Sequence, residues 1–234
     1  MIDIYGGKDP RDIPTYSAGD ASRYLNIPYS TIRSWTVGYQ YKITDGNKQF
    51  EPVIDIKKRK PLTLTFINLI EIHVLRAIRQ HHHIDLAKVR AALDYINEKI
   101  NIHHPLAHQE FYTDGVDLFI DHYGSLINAS QDGKKTLKNA LKTHLERIES
   151  DDKGLAIKLF PFTRNQEENN PCFVVIDPRV AFGRMVIAGT GIPVDVIGER
   201  FYAGDSPQQL AHDYECEIDK IEEAIRCVSR PVAA

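Results

Sequence analysis

Cysteine is scarce: Cys172, Cys216 and Cys227 are the only three in 234 residues. An odd number without a C-x-x-C spacing argues against a disulfide framework and a structural zinc site, so reduced, partly buried thiols are expected. Long apolar runs are missing too. The chain is 42% hydrophobic and 26% charged, and no stretch approaches the roughly 20 residues of a membrane helix. A protein with no membrane partner is expected. The opening MIDIYGGKDPRDIP lacks a basic segment followed by an apolar one, so no secretory signal is read and the expected location is cytoplasmic. Catalytic signatures are equally thin. There is no G-x-S-x-G elbow, and Gly189-Thr190-Gly191 lacks both a following lysine and the spacing of a nucleotide fingerprint. His212 lies near Cys216, but proximity in sequence does not make a catalytic pair. No fixed-period repeat and no low-complexity tract occurs. The chain is therefore read as a non-enzyme without catalytic residues, cofactor or metal.

What is present is a division of charge. The net charge is only −3, yet residues 16–60 carry eight basic and four acidic side chains, a balance of +4. Residues 194–230 carry nine acidic and four basic ones, a balance of −5. Phosphate neutralisation supplies most non-specific nucleic-acid affinity, so a polyanion would meet the first region and avoid the second.

The basic region has a motif to go with its charge. Ser17, with Asp20 three residues on, reads as a helix cap, and Ala21, Tyr24 and Leu25 fall on one helical face. Asn26, Ile27 and Pro28 end that helix. A second one over residues 29–36 would turn Ile32 and Trp35 inward and Ser30, Arg33 and Ser34 outward, with Gly38 as its stop. Two helices of about eight residues joined by a short turn match the helix-turn-helix plan, against the plainer alternative of a helical hairpin. A β-hairpin is expected next, from Lys42 through the turn dipeptide Asp45-Gly46 to Val53, Ile54 and Ile56, running into Lys57, Lys58, Arg59 and Lys60. It reads as a wing whose basic run contacts phosphates. A solvated loop is the bland alternative.

Further along, residues 63–80 have an apolar stripe wide enough for burial on two sides, through Ile67, Leu69, Ile70, Ile72, Val74, Leu75, Ala77 and Ile78. Residues 85–100 carry a cleaner single face. Residues 101–133, with β-like runs at 111–112 and 117–120 among glycines, suggest irregular structure with a small sheet. A helix over 134–149 would present Leu137, Leu141, Leu145 and Ile148. The polar stretch RNQEENNP, 164–171, is the best linker candidate. Beyond it, helices are marked by Val194, Ile197 and Phe201, then by Ser206-Pro207 before Leu210, then by Ile218, Ile221, Ile225 and Val228. Three such helices resemble a homeodomain-like unit, but Glu217, Asp219, Glu222 and Glu223 on the third would face phosphates at a cost. Protein contacts are assigned to it instead. His81, His82 and His83, and separately His103, His104 and His108, are read as surface or structural histidines, since consecutive side chains diverge and no cysteine stands near.

Two stretches resemble known families. AGDASRYLNIPYSTIRSW with its wing resembles a MerR-type winged helix. IDPRVAFGRMVIAGTGIPVDVIGERFYAGDSPQQLAHDYECEIDKIEEAIR closely resembles the domain of unknown function 433, through Asp177-Pro178-Arg179, Gly183, Gly189-Thr190, Ile192-Pro193, Arg200, Ala203-Gly204 and Asp213-Tyr214. Met185 departs from the proline usual after Gly-Arg. Joined through GLAIKLFPF, the pieces resemble antitoxins of the VapB class, whose partners are PIN-fold ribonuclease toxins.

The fold expected is mainly α with small β elements: a winged helix-turn-helix with a helical extension over 1–165 and a trihelical domain over 171–234. The resemblance implies an antitoxin that neutralises a PIN-fold toxin and, as a homodimer, represses its own operon by binding double-stranded operator DNA. The DNA-binding set is Arg23, Tyr29, Ser30, Arg33, Ser34, Lys57, Lys58, Arg59 and Lys60. Arg164, Arg179, Arg184 and Arg230 are the arginines assigned to the toxin's carboxylates. The rival reading is a free-standing MerR-like regulator that responds to a small ligand.

Overall fold

A computed structural model describes residues 5–43, 46–56, 61–80, 86–167 and 169–229. The architecture is mainly helical with small sheets, as the apolar periodicities require. Tyr16–Ser17 (β1) pairs antiparallel with Thr63–Leu64 (β4), and between them lie Ala18–Leu25 (α1), Tyr29–Val37 (α2), Tyr39–Ile43 (β2) and Gly46–Phe50 (β3). Phe66–Gln80 (α3) and Leu86–Ile100 (α4) follow. In α3, Phe66, Ile67, Leu69, Ile70, Ile72, Val74, Leu75, Ala77 and Ile78 are all buried. This is the two-sided burial that its wide stripe predicts. In α4, Val89, Ala92, Leu93 and Ile96 make one buried face.

The stretch expected to be irregular with a small sheet is helical instead. Phe111–Gly115 forms a π-helical turn that runs into Val116–Leu126 (α5), and Gln131–Leu145 (α6) begins soon after. Val116, Phe119, Ile120 and Tyr123 are buried at the three- and four-residue spacing of one helix face. Tertiary burial of that face outweighs the glycines and the aromatic β propensity. Ile148 does not extend α6; it opens the strand Ile148–Ser150 (β5).

The four-stranded sheet runs in the order β5, Ala156–Leu159 (β6), Val174–Ile176 (β7), Met185–Ile187 (β8), all antiparallel. It draws two strands from each side of the polar stretch 164–171. That stretch is folded back on itself: the Asn170 amide donates to the carbonyls of Arg164 and Gln166, and its oxygen accepts from the Thr163 N–H and hydroxyl. Arg147, mostly buried, donates to the carbonyls of Phe160, Pro161, Asn170 and Pro171 and to Cys172 Sγ. Desolvation pulls its guanidinium below the usual arginine range.

The three expected C-terminal helices are Val194–Tyr202 (α7), Pro207–Asp213 (α8) and Ile218–Val228 (α9). Pro207 stands in the first turn of α8 and Ser206 caps it through the Gln209 N–H. The inward face of α9 is Ile221, Ala224 and Cys227, while Ile218 is 37% exposed.

Glu223 corrects a sequence expectation. Its side chain is 1% exposed and bound by Arg164 and Arg226, so it lies inside the unit and does not face outward with the other acids.

Candidate nucleic-acid interface

The helix-turn-helix is set by local chemistry before any partner is considered. Ser17 Oγ accepts from the Asp20 N–H at 3.0 Å, and the Asp20 carboxylate accepts from the Ser17 N–H at 3.1 Å. Both partners of a capping box are thus present. Asn26 takes the left-handed conformation at the end of α1, where asparagine is tolerated. Ser22 Oγ then donates to the Ile27 carbonyl at 2.7 Å, which holds the turn. Ala21 is fully buried where the helices approach, and Ile32 and Trp35 of α2 complete the seam. Gly38 closes α2 at φ 74°, and a Cβ there would collide with the Phe50 carbonyl. No other residue fits that corner.

The outward face of α2 carries Tyr29, 45% exposed, with Ser30 and Arg33 exposed and Ser34 half-buried. Arg33 makes no ion pair among the described residues, so its guanidinium is available to a ligand. Arg23 differs: it pairs with Asp20 at 3.1 Å and lies over the Tyr24 ring. Its charge is partly answered within α1.

The wing exists, but its second arm is not the one expected. β2 pairs with β3 in the register Tyr39↔Phe50, Gln40↔Gln49, Lys42↔Asn47, and residues 53–56 are not strand. Pro52, two residues past the end of β3, lacks the N–H a ladder needs. The Val53 and Ile54 N–H groups instead donate to the Trp35 carbonyl. Alternation divides the hairpin into two faces. Tyr39 stacks on Phe50 at 4.9 Å with Tyr41 beside it, and Arg90 of α4 lies over Phe50 and donates to the Pro52 carbonyl. Gln40, Lys42, Asn47 and Gln49 occupy the opposite, exposed face. Sequence reasoning missed that polar face, although the alternation Tyr39-Gln40-Tyr41-Lys42 was there to find it.

Lys57, Lys58, Arg59 and Lys60 lie outside the described residues, as do Asp45 of the expected turn, the triplet His81, His82 and His83, and Arg230. The flanks of the basic run are anchored: the Asn68 amide donates to the Asp55 carbonyl, and Leu64 pairs with Tyr16.

The remaining arginines assigned to a toxin are held by this chain's own acids. Arg164 binds Glu223 at 2.8 Å, Arg179 binds buried Asp177 at 2.6 Å, and Arg184 meets Asp195 at 3.3 Å. Each guanidinium is about half exposed, so it is oriented without being covered. Side-chain hydrogen bonds donated to Glu223 and Asp177 raise Arg164 and Arg179 above the usual arginine range.

Behind the interface, α3 carries buried polar groups that sequence reasoning passed over. Glu71 accepts from Asn68 and pairs with His104 at 2.9 Å, and that carboxylate raises the imidazole above its usual value. His73 lies against His144 and Phe162, its Nε2 donating to the His144 carbonyl. Burial pushes it well below the usual histidine range. Their only signal was position, at the polar places of an otherwise apolar helix. His108 faces the Lys153 carbonyl, and no group of three or more His, Cys, Asp or Glu among the described residues is placed to hold a metal ion. The cysteines are free thiols: Cys172 exposed, Cys216 half-buried, Cys227 buried. No described helix is long and apolar enough to cross a membrane.

The helix-turn-helix touches the C-terminal unit directly. Tyr16 packs on Gly183, where a Cβ would collide with its hydroxyl, and the Met185 backbone hydrogen-bonds to Tyr24. Tyr5 donates to the Pro178 carbonyl.

Comparison with known proteins agrees with this layout. Residues 14–93 match the family described as "Putative DNA-binding HTH domain", and residues 174–226 match "Protein of unknown function (DUF433)". The chain is 28% identical over 236 residues to "Putative antitoxin VapB45" of Mycobacterium tuberculosis (strain ATCC 25618 / H37Rv), covering 93% of this chain and 95% of that protein. It is 22% identical over 223 residues to "Uncharacterized protein Rv2308" of the same organism, covering 92% and 90%. The crystal structure of Rv2018 from Mycobacterium tuberculosis superposes with a TM-score of 0.68 at 24% identity, over 92% of this chain and 98% of that one, and so shares the fold. The chain therefore carries one segment that matches a putative DNA-binding helix-turn-helix domain and one that matches a domain of unknown function 433.

Proposed function

We propose that this protein is an antitoxin that binds operator DNA through α2 and the β2–β3 wing and uses its C-terminal unit to hold a PIN-fold ribonuclease toxin. The observation that carries the DNA half is the outward face of α2, where Tyr29, Ser30 and Arg33, the last without an ion pair among the described residues, stand beside an exposed polar wing. The N-terminus of α2 has no side-chain cap, which leaves backbone N–H groups for a phosphate. A homodimer would set two such helices about one DNA turn (~34 Å) apart, so the operator is a rough palindrome and binding represses the chain's own operon. Likeness to a putative antitoxin over almost the whole chain supports the toxin half. There, Arg164, Arg179 and Arg184 would present their remaining donors to the toxin's clustered carboxylates.

Arg33→Ala is the direct test. A base-edge arginine contributes roughly 1–3 kcal/mol of discrimination, so the variant should lose preference for the operator over random duplex in a gel-shift titration while keeping its fold. Unchanged selectivity would remove Arg33, and with it this docking of α2. For the toxin half, co-purification with a PIN-fold nuclease encoded beside this chain is expected, and its failure in a co-expressed pair would leave only the DNA-binding regulator.

A further inference from the structure

A cavity of about 350 Å³ opens between α5 and α6. Its volume sits at the lower end of the ~300–1,000 Å³ typical of ligand pockets, which suits one small molecule and no peptide. The floor is apolar. Tyr112, Val116 and Leu145 form it, and the Tyr112 hydroxyl is already committed to the Leu106 carbonyl at 3.3 Å. What the ring offers to a ligand is therefore its carbon face.

The rim is charged and balanced. Lys138 meets Asp117 at 2.5 Å, and Lys142 stands 3.8 Å from Glu146, all four side chains being more than half exposed. Exposed pairs of this kind contribute about 0–1 kcal/mol, so they exchange easily for a ligand's groups. Lys138 and Lys142 are four residues apart on α6 and share one face. Two ammonium groups and two carboxylates around an apolar floor match a molecule that is itself dipolar, with one carboxylate, one ammonium and an apolar body.

The backbone here is also unusual. Tyr112 is placed by the π-helical turn Phe111–Gly115, a rare form that recurs at functional sites. Gly115 permits it, since a Cβ there would stand 2.9 Å from the Phe111 ring. We propose that this cavity binds a free α-amino acid with an apolar side chain, its carboxylate between Lys138 and Lys142, its ammonium toward Asp117 and Glu146, its side chain on Tyr112 and Leu145. The adjoining buried face of α6 carries Leu137, Leu141 and His144, α6 packs on α3 where His73 meets the His144 carbonyl, and Arg76 of α3 donates to the Leu25 carbonyl at the end of α1. Occupancy is thus one helix removed from the DNA-binding unit.

The proposal stands or falls without any toxin or operator. The full chain is titrated with L-phenylalanine and L-leucine while backbone amide NMR signals are followed. Saturable shifts confined to residues 111–117 and 138–146 are expected. Phenylacetate, which lacks the ammonium, and phenethylamine, which lacks the carboxylate, should each bind roughly tenfold or more weakly, the loss of one charge-assisted hydrogen-bond set. The Lys138→Met, Lys142→Met double variant should weaken L-phenylalanine by a similar factor with the rest of its spectrum unchanged. No saturable shift from either amino acid up to about 10 mM, tenfold beyond a Kd of about 1 mM, would overturn the proposal. So would phenylacetate binding as tightly as L-phenylalanine, or an unaltered affinity in the double variant.

Discussion

Tyr16 shows how much a single side chain can be asked to do. It is 3% exposed, packs edge-on against Tyr24 at 6.4 Å and presses its hydroxyl toward Gly183, yet among the described residues that hydroxyl has no hydrogen-bond partner. Burial pushes the phenol well above its usual pKa, so the group stays neutral and unsatisfied. An unmade buried hydrogen bond costs about 1–3 kcal/mol, whereas phenylalanine would keep the ring contacts. Tyr16→Phe should therefore raise the thermal midpoint by roughly 2–4 °C, the shift that ~1 kcal/mol produces in a protein of this size. A lower midpoint in a melting curve would mean that the hydroxyl is bonded in solution. At this scale the sequence was legible where chemistry is local. The Ser17 and Asp20 box, the inward Ile32 and Trp35, and the Gly38 stop all follow from spacing. The engagement of Arg164 with Glu223 across 59 positions does not, because nothing in a linear pattern says which exposed arginine meets which acid.

Among the elements, the wing separates what pattern can and cannot give. Its existence follows from turn chemistry, but its second arm was displaced because Val53 and Ile54 look like strand residues. They are used as an anchor on the Trp35 carbonyl instead. The exposed face that the wing does present is then Gln40, Lys42, Asn47 and Gln49, in place of 53–56. Lys42 should act through phosphate alone. Its replacement by alanine should weaken operator and random duplex alike and lessen the slope of log affinity against log salt by about 0.9 per lost contact. A changed sequence preference with an unchanged slope would assign Lys42 to bases. α5 was the element least visible beforehand. Its aromatic residues and glycines suggest strand and turn, and only packing against α4 and α6 makes a helix of them.

For the whole molecule, surface character and folding divide differently. The charges of the two ends are opposite, and a division of labour between residues 1–165 and 171–234 remains part of the proposed function. Folding, however, uses one hydrophobic core that includes Tyr16, Ile32, Leu159, Ile176, Ile197 and Ile221. β6 before the polar stretch pairs with β7 after it through Leu159 and Ile176. A single calorimetric unfolding transition is therefore expected, with calorimetric and van't Hoff enthalpies equal. Two resolved transitions would show that the halves fold separately in spite of their shared sheet. By itself, the sequence determined the helix-turn-helix, the trihelical end, the opposite charges and the family resemblances, because caps, turn residues and apolar periods act over a few residues. Only the tertiary structure decided that the polar stretch is pinned by Arg147, that Glu223 turns inward, that 111–126 is helical and that a charged-rim cavity opens beside it. Each of these depends on partners far along the chain, where burial and pairing outweigh local preference.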